Sequence, residues 1–165
     1  MKTLATLFII VGLTNLTFAQ SNPRRSADAV DSPSVRKQQF NLENGLAIQG
    51  YDPVAYFTQH KAVKGSAANT YTYKNATYRF TTPADRDAFQ KDPEKYEPQY
   101  GGWCAYAMGA TGEKVEIDPE TFKIIDGKLY LFYHTFINNT LTKWNKDEPN
   151  LHKKADASWS KFIQS

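Results

Sequence analysis

A thiol and a thioether stand four residues apart in Tyr100-Gly101-Gly102-Trp103-Cys104-Ala105-Tyr106-Ala107-Met108. On a helix that spacing puts Cys104 and Met108 on one face, and two soft sulfur donors so placed suit Cu(I). His134 closes the run Leu129-Tyr130-Leu131-Phe132-Tyr133-His134 and is the imidazole that can join them. The segment also reads as plain core, because free cysteine is among the most buried residue types and methionine fills gaps. Its rings offer other chemistry. Tyr100, Trp103 and Tyr106 around Gly101 and Gly102 can line a cleft for a small ligand, with the glycines allowing close approach. The same rings can equally form an aromatic core.

The remaining titratable groups specify less. His60 lies in a polar loop, His152 sits beside Lys153 and Lys154, and no two histidines have the four-residue spacing of a helical metal pair. Asp85 and Asp87 are two apart and point to different sides of a helix. Asp85 suits a first helical turn, Asp118-Pro119-Glu120 reads as a turn, and Asp156 reads as structural. The sequence has no G-x-S-x-G, no P-loop and no G-x-G-x-x-G. No constellation specifies a reaction, so a binding module is expected in preference to an enzyme.

These residues belong to a chain of 165, room for one domain plus tails. Met1-Lys2, the uncharged run from Leu4 to Leu13, and small residues at Thr17 and Ala19 match a secretory signal peptide cut near Ala19. The run is short of the roughly 20 residues a membrane span needs. An exported protein, periplasmic or extracellular, is expected, with no transmembrane segment in the mature chain. Its single cysteine excludes an internal disulfide framework. The chain has 20 basic and 17 acidic residues; loss of Lys2 leaves 19 against 17, a net charge of +2. Without a dense Lys/Arg block that charge argues against a nucleic-acid partner; a metal ion or small ligand is expected, and the sequence leaves a protein partner open.

Residues 20–39 are polar and read as a flexible lead-in to a domain over 40–165. Asn44-Gly45, Asn75-Ala76 and Asp126-Gly127 are turn signals; the last two join hairpin arms rich in aromatic and β-branched residues. Thr82-Pro83 should open a helix, and Pro93 to Tyr96 one further turn. Phe136, Ile137, Leu141 and Trp144 recur at helical spacing, as do Leu151, Ala155, Trp159, Phe162 and Ile163, with Pro149 between the runs. The expected class is α+β: a small antiparallel sheet of hairpins covered by short helices, with two C-terminal helices.

Tyr51-Asp52-Pro53-Val54, Tyr78-Arg79-Phe80, Phe89 and Asp92-Pro93-Glu94-Lys95-Tyr96 follow one another as in the YHS domain, which this chain resembles. PQYGGWCAYAM, DGKLYLFY and KADASW look like the longer form found in small exported bacterial YHS-domain proteins, so the resemblance spans about residues 47–162. It implies the family's fold and a metal-binding role, since related domains occur in copper-transporting ATPases and some monooxygenases. Where those relatives often carry cysteines, this chain has Ala55, Thr81 and Asp85. A soft-metal site is not available there, and the resemblance carries over the fold. Two functions are therefore expected: an exported YHS-type domain that binds or traffics a metal ion, copper foremost, through Cys104, Met108 and His134; or a non-metal module that binds a small ligand or protein in an aromatic cleft at Tyr100, Gly101, Gly102, Trp103 and Tyr106.

Overall fold

Asp52 is fully buried, and its carboxylate ties the N-terminal half together. Oδ1 accepts the backbone N–H of Val54 at 2.9 Å and of Ala55 at 3.4 Å. Oδ2 accepts the Thr81 N–H at 2.7 Å and its hydroxyl at 2.9 Å. Burial pushes the Asp52 carboxyl above its ordinary range, while the bonds from Thr81 and Val54 oppose that shift. One side chain thus joins the start of a short helix at Ala55 to the end of a strand at Phe80.

The computed structural model describes residues 32–164. The expected signal peptide, its cut near Ala19 and the start of the lead-in lie outside the described residues. The class is α+β, as expected. Helix α1 (Pro33–Gln39) leads to β1 (Leu42–Glu43), β2 (Leu46–Ala47) and α2 (Ala55–Thr58). Then come β3 (Ser66–Tyr73), β4 (Ala76–Phe80), α3 (Pro83–Lys91) and α4 (Pro93–Tyr96). The first sheet has the order β1-β2-β4-β3. Its pairings are antiparallel except β2 with β4, which run parallel at Leu46 and Thr77.

Strand β4 alternates: Ala76, Tyr78 and Phe80 are fully buried, Thr77 and Arg79 only partly. That period of two turns one face inward. Helix α3 lies against it because Thr82 caps its start, Oγ1 accepting the Asp85 N–H, with Pro83 in the first turn. Its buried Phe89 meets the rings of Tyr78, Phe80 and Tyr96 at centroid distances of 4.6, 5.3 and 6.4 Å.

The second half holds α5 (Ala105–Ala110), β5 (Asp118–Ile125), β6 (Lys128–Phe132), β7 (His134–Thr135) and β8 (Asn138–Asn139). Helices α6 (Thr140–Trp144) and α7 (Glu148–Gln164) end the described chain. Strands β5 and β6 form their own hairpin about Asp126-Gly127, as expected. Helix α7 packs against α5 at closest range where Gly109 meets the Leu151 backbone. A Cβ on Gly109 would stand 2.4 Å from the Leu151 carbonyl oxygen, so only glycine fits.

Four expectations need correction. The lead-in expected over 20–39 is helical from Pro33, and Arg36 on that helix is 2 % exposed. Its guanidinium pairs with Glu97, donates through Nε to the Lys74 carbonyl at 2.9 Å and lies 4.2 Å from the Phe40 ring centroid. The polar composition hid this because the partners are distant in sequence. The first long hairpin turns at Lys74-Asn75 rather than Asn75-Ala76, with φ of 45° and 69° and Tyr73 opposite Ala76. Asp118-Pro119-Glu120 is the bulged start of β5. Phe136 and Ile137 do not begin a helix: they are the tip of the β7–β8 hairpin, 104 % and 91 % exposed. The helix starts after Asn139, whose side chain accepts the N–H groups of Leu141 and Thr142.

Candidate functional site

Cys104 is the N-cap of α5 and fully buried. Its sulfur accepts the Tyr133 N–H at 3.3 Å and lies 3.4 Å from the Thr140 hydroxyl. Met108 follows one turn later, also fully buried, but packs in the C-terminal cluster with Phe132 and Trp144, whereas Cys104 packs in the N-terminal one. The His134 side chain is 41 % exposed; its Nδ1 lies 3.1 Å from the Thr121 hydroxyl and 3.3 Å from Asp118 Oδ2. Each of the three expected metal donors therefore has its own surroundings. Met108 lies one turn from Cys104, as expected, but the thiol is taken up by Tyr133, just after β6, and by Thr140 of α6.

The expected ligand cleft also separates. Tyr100, Gly101 and Gly102 are buried in a 3-10 turn over Gln99–Gly102. Gly101 has φ of +60°, and a Cβ there would meet the rings of Trp159 at 2.7 Å and Phe40 at 2.9 Å. The glycine admits the protein's own rings, not a ligand. Trp103 donates its Nε1–H to the Gln39 carbonyl, and Tyr106 lies under the Lys143 ammonium. Surface cavities of about 300 and 520 Å³ lie elsewhere, one beside Leu42, Leu46 and Ile117, the other between Gly112, Lys154 and Phe162.

Tyr100 points instead to a cluster that sequence reasoning did not assemble. The bridge between Pro98 and Leu129 lays the Gln99–Gly102 turn beside β6. There the Tyr100 and Tyr130 rings meet edge to face at 5.8 Å. Helix α7 crosses both and presents Glu148, His152 and Asp156, spaced by four and so on one face. Tyr100 donates its hydroxyl proton to Asp156 Oδ1 at 2.9 Å. The Tyr130 oxygen lies 2.9 Å from His152 Nε2, which is 3.8 Å from Asp156 Oδ1. One turn earlier, Glu148 accepts the Trp144 Nε1–H at 2.9 Å and pairs with Lys123. Trp144, fully buried, backs the cluster with ring centroids 6.1 Å from Tyr130 and 6.0 Å from His152.

The two phenols form the floor, each 4 % exposed. His152 and Asp156 form the mouth, their side chains 32 % and 63 % exposed. Burial, and next Asp156, push the Tyr130 phenol up to about 12. Burial raises Tyr100 further, joined by its hydrogen bond to Asp156. The phenols are hydrogen-bond donors at neutral pH, and Lys123 holds Glu148 below the usual carboxylate range. Such a cluster can hold a cation or a polar ligand between oxygen and nitrogen donors. Its sequence signal was the four-residue spacing of His152 and Asp156, residues taken one at a time as surface and structure.

Among the described residues no group of three or more His, Cys, Asp or Glu is placed to hold a metal ion, and no helix is long and apolar enough to cross a membrane. Comparison with protein-family models, curated proteins and solved structures finds no match to this chain.

Proposed function

We propose that this chain is an exported binding module of the YHS type, and that it binds a metal ion or small polar ligand where Tyr100, Tyr130, His152 and Asp156 meet. Support for the YHS reading comes from where the motif residues fall. Val54, Tyr78, Phe80, Phe89 and Tyr96 pack in one cluster, and Asp52 links the D-P-V segment to the end of the Y-x-F strand. The observation that carries the binding centre is the convergence of four polar side chains from three elements, two in the floor and two open to solvent. The buried, hydrogen-bonded Cys104 speaks against a copper thiolate.

Thermal unfolding against a panel of metal ions and small polar ligands tests this. A ligand at about 100 times its Kd adds roughly 2.7 kcal/mol, which raises the Tm by several degrees at this size. At least one ligand should do so for the native sequence and much less for His152→Gln and Asp156→Asn. If every ligand acted equally on all three proteins, the centre would be placed wrongly. If Cys104→Ala alone abolished the shift, the soft-metal reading would replace it.

A further inference from the structure

The four side chains differ in kind, and their kinds select an ion. We propose that Tyr100, Tyr130, His152 and Asp156 form a site for trivalent iron, an inference that rests on reading this cluster as the binding centre. Deprotonated, the two phenols and the carboxylate carry three negative charges, and neutral imidazole adds a fourth donor without charge. A trivalent ion is neutralised by that set. A divalent ion would leave one negative charge uncompensated beside Phe132 and Trp144, whose rings lie 5.6 Å apart at the back of the site.

Softness points the same way. Three of the four donors are oxygens and none is sulfur, a set for hard, highly charged ions rather than Cu(I). Three successive donor–donor distances fit the spacing around one ion. Donors held about 2.1 Å from one ion stand roughly 3–4 Å from one another. Around the cluster, Tyr100 oxygen to Asp156 Oδ1 is 2.9 Å, Asp156 Oδ1 to His152 Nε2 is 3.8 Å, and His152 Nε2 to Tyr130 oxygen is 2.9 Å. The donors also differ in exposure as a loading site requires: the phenols are buried among rings, while the imidazole and carboxylate reach solvent and can meet the arriving ion.

The binding step balances without a redox partner. Each phenol O–H bond breaks as an iron–oxygen bond forms, two protons leave to solvent, and iron remains trivalent. His152 and Asp156 are only two donors of the His, Cys, Asp and Glu kind, so the site depends on its phenols, and Tyr→Phe substitution tests it directly.

The full-length chain is titrated with ferric nitrilotriacetate while the visible charge-transfer band of iron-bound phenolate is recorded. One equivalent should give the band. Tyr100→Phe and Tyr130→Phe should each bind at least about tenfold more weakly with a reduced band, and the double variant should stay colourless. Asp156→Asn alters a mostly exposed residue, so it keeps the test available if a floor variant does not fold; it too should weaken binding. Gallium(III), trivalent and redox-silent, should displace iron and erase the colour. Absence of the band, or a band undiminished in Tyr130→Phe, overturns the iron assignment. Displacement of iron by equimolar zinc(II) overturns the choice of a trivalent ion. A thermal shift by another ligand, lost in Asp156→Asn, would then show the binding centre standing without iron.

Discussion

Glu97 is 9 % exposed, and its carboxylate takes both the Arg36 guanidinium and the Tyr78 hydroxyl. A buried charge that loses its partner is far more costly than the pair is stabilising. Glu97→Ala should therefore cost about 3–5 kcal/mol in urea unfolding, whereas Arg36→Met combined with Glu97→Leu should cost much less. A loss below about 1 kcal/mol for the single substitution would mean that water reaches Arg36. The sequence discloses neither this pair nor the polar cluster. Arg36 and Glu97 are 61 residues apart, and Tyr100 and Asp156 are 56 apart. Each type is ordinary on a surface, and only the folded backbone brings them together. The apolar motif residues were easier to place, since Tyr78 and Phe80 show a strand's alternation and Phe89 falls on the apolar side of the helix that Thr82 and Pro83 open.

Among the elements, the β7–β8 hairpin is the one the hydrophobic pattern misreads. Phe136 and Ile137 extend the spacing of Leu141 and Trp144 backwards, but Asn139 caps the helix after them and leaves two apolar side chains in water. They make no core contact to lose. Phe136→Ser with Ile137→Ser should change stability by no more than about 0.5 kcal/mol for each and raise the solubility limit. A larger loss in chemical denaturation would mean that the tip folds back onto the protein. Periodicity serves α7 far better: Leu151, Ala155 and Ile163 are its buried line. Pro149, expected to separate two helices, is tolerated within the first turn of the second, where no intrahelical N–H is needed.

At the scale of the molecule, α1 decides where the folded unit begins. It supplies Arg36 to Glu97, the Gln39 carbonyl to Trp103 and the Gln39 side chain to Lys114. A chain beginning at Ser32 should be more stable than one beginning at Phe40 by about 3–5 kcal/mol, because the shorter chain leaves Glu97 buried without its cation. Equal midpoints for the two in urea would return the boundary to Phe40, where composition alone puts it. The α+β class was legible because the Asn44-Gly45 and Asp126-Gly127 turns and the helical run from Leu151 to Ile163 survive intact. The parallel contact of β2 with β4 was not, since a single bridged pair leaves no pattern in the chain.

Helix α7 offers a polar residue at every turn, Glu148, then His152, then Asp156. Slid by one turn, about 5.4 Å, it would set an imidazole before Tyr100 and a carboxylate before Tyr130, a different chemistry from the same side chains. The buried line of Leu151, Ala155 and Ile163 opposes the slide, as do the bonds of Glu148 to Trp144 and Lys123. Gly109 adds to them, because its bare backbone seats against the Leu151 carbonyl and leaves no clearance for a Cβ. A residue without a functional group thus shares, like one tooth of a vernier, in fixing which donor each phenol meets.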